Sequence, residues 1–375
     1  MNWCSRCLMP DTRPRVRFTD GVCNACVYHE QKKQIDWTAR EAEFQETIRG
    51  AMEQSKQSVG AGWGCVVPFS GGKDSAAVAW KLREAGLRPL LVTYGQLLWT
   101  DVGRSNFNRV CDSGFDILYW RVDQRVSKLL ARRFFIERGH PKQHYDAGVN
   151  AVPLITAAKF KIPLVFYAEH GETEYGGNVL SEESRRTRNL HEVLENQVGD
   201  DPANWMDGGI VARDLLPYRY PSAGELGDCH AFYFSYFFPW DIYENAKFAR
   251  SRGFDCAQNG QSGWGWGKSD GSFEGYDSID DKIDDLDYYM MYVKFGFGRS
   301  ARMASRLIQN GHMTREEGLE LVRRYDGEFP STYWDDVLEY MEMTETEALE
   351  TIEMHRNEEI WKKENGQWAL RNPPS

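Results

Sequence analysis

No apolar run in the 375 residues approaches the roughly 20 that a membrane-spanning helix needs. The first residues include cysteine and arginine where a signal peptide would have an apolar core, so the sequence predicts a cytoplasmic protein with no membrane partner. Positive charge is scarce: 45 Lys and Arg stand against 56 Asp and Glu, a net charge of −11. That balance argues against broad contact with nucleic acid and leaves room only for a local basic groove. Cysteine is limited to 8 residues, which in a reducing compartment do not make a disulfide framework. What remains is globular composition, 41% hydrophobic and 27% charged, with length for one large or two ordinary domains.

The most telling segment is Ser70-Gly71-Gly72-Lys73-Asp74-Ser75, placed between the apolar run Cys65–Phe69 and a helical pattern from Ala76. Adjacent glycines let a backbone close on a ligand, and the N–H groups that open the following helix face an anion. This is a phosphate site, but it is not a Walker A loop. Val67 stands where that loop needs glycine, and Asp74 where it needs a hydroxyl for magnesium. The run resembles the PP-loop, Ser-Gly-Gly-x-Asp-Ser, of ATP pyrophosphatases. That resemblance implies cleavage of ATP between the α and β phosphates, adenylation of an acceptor oxygen and release of pyrophosphate. Ser70, Gly71, Gly72, Lys73, Asp74 and Ser75 would then bind ATP, with Lys73 and Asp74 also catalytic.

Four cysteines have paired spacing: Cys4-x-x-Cys7, fifteen residues, then Cys23-x-x-Cys26. Two such knuckles supply the tetrahedral thiolate set of structural zinc and leave no open coordination position. A zinc ribbon is expected over 1–30. Free thiols or a redox or iron–sulfur role are the weaker alternatives. Cys65, Cys111, Cys229 and Cys256 read as core residues, with Asp228-Cys229-His230 a lesser metal candidate.

Residues 31–64 read as a helical linker with a partial apolar stripe at Ile35, Ala39, Ala42 and Ile48, closed by the glycine-rich residues 60–64. From 65 to 300, apolar runs at 65–69, 89–94, 115–122 and 163–168 alternate with helical patterns at 75–85, 125–138 and 147–160. This predicts an α/β domain with a mostly parallel sheet. Residues 178–229 look like a polar insertion, Phe232–Trp240 a strand, Tyr243–Arg252 a helix, and 301–375 a helical C-terminal region. In it, Thr314 and Glu317 form a capping box ahead of a helix over Gly318–Tyr325.

Ligands of open parallel sheets bind beyond the carboxyl ends of the strands, so loops 70–75, 95–101 and 169–177 should share one edge. The last holds Glu169, Glu172 and Glu174 with His170 and Gly171. Asp74 and Glu174 are candidates for magnesium, and Glu169 or Glu172 for contact with the acceptor, against a plain solvated acidic loop. Arg185-Arg186-Thr187-Arg188 suits either a sugar-nucleotide diphosphate or solvent. Trp264 and Trp266 suit either base or sugar stacking or core packing, with Lys268 in reach of a phosphate.

Several further segments carry a narrower resemblance: Trp3-Cys4-Ser5-Arg6-Cys7-Leu8-Met9-Pro10-Asp11-Thr12-Arg13-Pro14, Gly21-Val22-Cys23-Asn24-Ala25-Cys26, Glu172-Thr173-Glu174-Tyr175-Gly176-Gly177, Tyr276 to Lys282, and Lys294 to Arg299. With the loop at 70–75 they are similar to N-acetyl sugar amidotransferases of bacterial surface-polysaccharide biosynthesis, the WbpG-like group. The resemblance implies a PP-loop domain of HUP-like, adenine nucleotide alpha hydrolase-like fold. It implies conversion of an acetamido group on a UDP-linked sugar to an acetamidine, with ATP, magnesium and zinc as cofactors. Lys282 joins the catalytic set on this reading, and Tyr94, Gly171, Lys268 and Lys294 the ATP-binding set.

Ammonia for that reaction needs a source. Residue 2 is Asn, and no Gly-x-Cys-x-Gly elbow exists, since Val66 and Val67 follow Cys65. The expected partner is therefore a separate glutaminase subunit, by resemblance similar to that of histidine biosynthesis with its barrel partner. Homo-oligomerisation stays open. A PP-loop tRNA thiolation enzyme is the nearest alternative, and a non-catalytic zinc-ribbon adaptor a more distant one. The acidic charge and the absence of an extra cysteine trio disfavour the first, and intact Lys73-Asp74-Ser75 disfavours the second.

Overall fold

The computed structural model describes residues 1–57, 62–179, 181–188, 190–258 and 260–375. The predicted end of the linker at 60–64 thus lies partly outside the described residues. At the N-terminus two short strands, β1 (Phe18–Thr19) and β2 (Val22–Cys23), pair antiparallel, and the second knuckle runs directly into α1 (Asn24–Lys32). Helix α2 (Trp37–Gln57) follows. Its buried side is Phe44, Ile48 and Ala51, while Ala39 and Ala42 face solvent, so the true stripe is rotated from the predicted one.

The central sheet is parallel and has five strands in the order β5-β4-β3-β6-β7. They are β3 (Cys65–Pro68), β4 (Pro89–Tyr94), β5 (Asp116–Trp120), β6 (Leu164–Tyr167) and β7 (His230–Tyr233). Helices cover both faces, as apolar strands of this kind require. On one face Cys65, Val67 and Leu91 pack with Val78 and Leu82 of α3 (Lys73–Glu84). On the other, Val66, Leu90 and Val92 meet Leu130 and Phe134 of α5 (Gln124–Arg138) and Ala151 of α6 (Gln143–Phe160). Each valine, leucine or phenylalanine so taken from water contributes about 1.5–3 kcal/mol. The sequence pattern did not single out α4 (Asp101–Asp112), whose first turn is capped by Thr100 Oγ1 accepting from Gly103 N at 3.0 Å.

The edge strand is shorter than predicted. After Tyr233 the chain turns into α11 (Phe234–Phe237), because Phe234, Phe237 and Phe238 converge on Phe44 of α2 rather than alternating across a sheet. Between β6 and β7 lie the short helices α7 (Gly171–Glu174), α8 (Glu182–Arg186), α9 (Leu190–Val193) and α10 (Ala223–Leu226), with short 3-10 helices at Pro202–Trp205 and Ala212–Tyr218. This stretch looked like a polar insertion, yet Trp205 and Tyr218 are fully buried against Phe134 and Tyr94. Helical turns this short leave no periodic signal.

Helix α12 (Ile242–Ser251), capped by Asp241, packs beside α3. Helices α13 (Ile283–Phe295), α14 (Arg299–Gln309), α15 (Arg315–Tyr325), α16 (Trp334–Met341) and α17 (Glu345–Met354) complete the helical region. The Thr314–Glu317 capping box is present, with α15 opening three residues before the predicted Gly318. The chain then forms a hairpin, β8 (Trp361–Glu364) with β9 (Gln367–Leu370), inside the region 301–375 that was expected to be helical. Its turn, Asn365-Gly366 with φ of 52° and 83°, is the left-handed pair that a tight hairpin demands. Among the described residues no helix is long and apolar enough to cross a membrane.

Candidate active site and metal centre

Strand order reverses between β3 and β6, and there a cavity of about 510 Å³ opens at their carboxyl ends, from Pro68 on one strand to Tyr167 and Glu169 after the other. Its walls carry Arg13, Arg15, Arg188 and Arg302. An arginine-lined cleft at this position suits a phosphorylated ligand.

The glycine loop begins two residues beyond Pro68 and ends as α3 begins. Gly71 has φ of 99°, and a Cβ there would lie 3.3 Å from Phe107 Cβ, which only glycine avoids. Ser70 Oγ accepts from Gly72 N at 3.1 Å, Ser75 Oγ donates to Gly72 O at 3.1 Å, and Gln96 Nε2 donates to Ser70 O at 3.0 Å. The loop is thus set by its own hydroxyls. The segment 276–282 lies over it: Asp280 takes a hydrogen bond from Gln96, and Asp281 caps the N–H groups of Leu97 and Leu98 at 2.9 and 3.2 Å.

Lys73 does not extend into solvent. It is 2% exposed, and its Nζ donates to Asp74 at 2.8 Å and to Asp277. Burial opposes its charge, but the two carboxylates outweigh burial and raise its pKa. Asp74 also accepts from Asn245 Nδ2 at 3.0 Å. From Asp277 the polar chain continues: Arg302 Nη1 donates to Asp277 at 2.7 Å and Nη2 to the Tyr175 hydroxyl at 2.9 Å, and Tyr175 donates to Glu169 Oε1 at 2.9 Å. Burial, reinforced by Asp74, pushes the Glu169 carboxyl up. A carboxyl on a cavity wall whose pKa burial has raised is suited to proton transfer.

The other acidic residues of this loop are committed elsewhere. Glu172 accepts two hydrogen bonds from Arg15, at 2.9 and 2.7 Å, and one from Asn178 N at 2.7 Å; these outweigh burial and lower its pKa. Glu174 pairs with Lys32 of α1 rather than with Asp74. Gly171 opens α7 on the cavity wall. Tyr94 lies in the core, its hydroxyl on that of Tyr218 at 3.0 Å. Lys268 is bound to Glu328 at 2.8 Å and Lys282 to Asp336 at 2.7 Å. Lys294 lines a second, smaller cavity. Of the basic triplet only Arg188 reaches the main cavity, stacked 3.8 Å over Tyr167; Arg186 pairs with Glu43 at 3.0 Å. Trp264 and Trp266 pack on Tyr243 at 5.6 and 5.3 Å, the core-packing alternative.

Sequence reasoning assigned no role to Asp277, Tyr175, Arg13 or Arg302. One signal for Arg302 was available: Arg299, Arg302 and Arg306 recur on one side of α14, and Arg299 and Arg306 are 1% and 2% exposed. A stripe of arginine on a helix's inner face marks a charged site, not a core.

Cys4, Cys7, Cys23 and Cys26 are all buried, and their sulfurs lie within 4.8 Å of one another. Cys7–Cys23 and Cys4–Cys26 separations of 3.6 and 3.9 Å match the edge of about 3.8 Å that a zinc tetrahedron with ~2.3 Å bonds would have. Arg6 N, Met9 N and Cys23 N donate to these sulfurs at 3.2–3.4 Å, and Gln309 of α14 approaches two of them. The donor set fits zinc. Asp228-Cys229-His230 is not part of any such group among the described residues. The span between the knuckles carries Arg13 and Arg15 to the cavity, with Arg15 at φ of 66°, a left-handed backbone that its bonds to Glu172 and to Asn196 O hold in place.

No curated protein matches the chain. Residues 270–372 match a family model described as LPS biosynthesis protein WbpG-like, C-terminal domain. That span holds Asp277, Asp280 and Asp281 over the glycine loop and Arg302 in the cavity. Over these residues the chain is similar to the C-terminal domain of WbpG-like proteins of lipopolysaccharide biosynthesis.

Proposed function

We propose that the chain is an ATP-dependent amidotransferase of surface-polysaccharide biosynthesis that converts an acetamido group of a UDP-linked sugar to an acetamidine. The observation that carries this reading is the Ser70–Ser75 loop at the end of β3 beside the arginine-lined cavity of the switch point. An amide carbonyl is a weak electrophile with a poor leaving oxygen. Attack of that oxygen on the α-phosphorus of ATP forms an O–P bond and expels pyrophosphate. Ammonia then adds to the imidate carbon, the C–O bond breaks and AMP leaves, so the carbonyl oxygen is replaced by NH.

The loop's N–H groups and the α3 N-terminus hold the phosphates. Asp74, with its side chain 21% exposed, is the loop carboxylate that would hold magnesium, which when bound would neutralise phosphate charge. Arg302 stabilises the charge that develops in the cavity. Glu169 takes the proton that ammonia loses on addition, helped by a raised pKa and by the Tyr175 hydroxyl that orients it. Ammonia comes from a separate glutaminase subunit.

Mass spectrometry tests the reaction. With ATP, magnesium, ammonium and UDP-linked diacetamido sugars, the expected outcome is AMP with a product about one mass unit lighter, as O is exchanged for NH. Absence of both with every such sugar, from protein that retains its zinc, would remove the proposal.

A further inference from the structure

Two cavities meet at Arg13-Pro14-Arg15. Beyond that wall from the main cavity lies a second, of about 310 Å³, which shares Arg13, Arg15 and Asn196 with it and adds His140, Met291 and Lys294. Its cations are unevenly neutralised. Arg15 is held by Glu172, and His140 lies between Asp287 at 2.7 Å and Asp146 at 3.2 Å. Among the described residues, neither Arg13 nor Lys294 has a carboxylate within ion-pair distance. Arg13 donates to Gly176 O, and Lys294 donates to Arg138 O at 2.7 Å. Burial lowers the pKa of both: that of Arg13 to about 10, with Arg15 and Arg302 adding to the effect against Glu172, and that of Lys294 against Asp287, which also lines this cavity.

Half-buried cations whose nearest carboxylates lie beyond ion-pair distance are incompletely neutralised, and a bound anion lowers that cost. The rest of the cavity is of opposite character: Met291, Phe295 and Phe297 form an apolar side next to Lys294. A ligand that satisfies both halves has phosphate at one end and a flat, weakly polar ring at the other.

We propose that this smaller cavity holds the nucleoside diphosphate end of the acceptor, with phosphate oxygens on Lys294 and Arg13 and the base against Met291 and Phe295. The sugar then passes Arg15 and Asn196 into the main cavity, where Glu169 lies. Lys294 belongs on this view to the acceptor and not to ATP. The identity of the acceptor rests on the amidotransferase reading; the existence of the subsite does not.

Calorimetric titration of the full-length, zinc-loaded protein with UDP tests it. The wild type is expected to bind UDP at one site, Lys294→Met to bind it at least tenfold more weakly, and Lys294→Glu more weakly still. Uridine, lacking phosphate, should bind wild type and Lys294→Met alike, and ATP affinity should change less than threefold. No UDP binding by the wild type, equal UDP affinity in folded Lys294→Met, or parallel loss of ATP affinity overturns the proposal. Met291→Ala, which leaves every charge in place, should weaken UDP and uridine together; unchanged affinities for both also overturn it. UDP binding that depends on Lys294 in a protein without any ATP–pyrophosphate exchange supports the subsite and sinks the amidotransferase reading instead.

Discussion

Lys73 and Asp277 are 204 residues apart in the chain and form an ion pair in which their side chains are 2% and 9% exposed. The pair ties the glycine loop to the C-terminal domain, and through Arg302 it continues to the cavity. Each cation therefore depends on a carboxylate contributed by another part of the fold.

Asp277→Ala should cost about 3–5 kcal/mol, since it strands buried charge on Lys73 and Arg302. Urea denaturation reads that loss. Lys73 and Arg302 hold the Asp277 pKa well below the ordinary carboxylate value against the effect of burial. A depressed folded-state pKa adds stability that is fully present above the unfolded value of about 3.9 and is lost as pH falls through the folded one. The wild type should thus lose more stability than Asp277→Ala below pH 4, and parallel pH profiles would contradict the pair.

Glu169→Gln separates chemistry from folding. The Glu169 pKa is raised in the folded state, so ionising it works against folding, and stability falls as pH rises from the unfolded value toward the folded one. At pH 7 the amide variant should be at least as stable as the wild type while turnover falls by about 10²–10⁴. A variant that melts earlier and keeps its turnover would remove Glu169 from proton transfer.

Metal analysis should find one zinc per chain, abolished in Cys23→Ser. Stripping it should lower the melting temperature and also weaken UDP binding, because the span between the knuckles delivers Arg13 and Arg15. Metal-free protein with an unchanged melt would show that the four thiols hold nothing structural.

Tyr94→Phe distinguishes core from cofactor contact. Removing one buried hydroxyl that pairs with Tyr218 should cost about 0.5–1.5 kcal/mol in a thermal melt and leave ATP affinity alone. Gly148→Ala should be worse for stability, by about 1–3 kcal/mol, since its Cβ would lie 2.3 Å from the Tyr94 ring.

Features encoded by neighbouring residues were legible in advance. The cysteine spacing, the loop after β3, the βα alternation and the Thr314 cap depend on short-range geometry, which the chain writes locally. Features made by distant residues were not. The Glu174 carboxylate, read as a magnesium candidate, pairs with Lys32 of α1, a partner 142 residues away, and Trp205 looked like part of a polar insertion although it fills a core. The strand expected to reach Trp240 ends at Tyr233, because Phe44 of α2 draws the following phenylalanines into a helical turn.

The sequence by itself determined a cluster of four cysteines that could hold a metal, a glycine loop that opens a helix and a parallel sheet, since each arises from residues a few positions apart whose backbone geometry admits little else. Tertiary structure alone decided which charges meet. A side chain's electrostatic role is set by what lies within a few ångströms of it, and Lys73 meets Asp277, and Arg302 meets Tyr175, across 204 and 127 residues of chain.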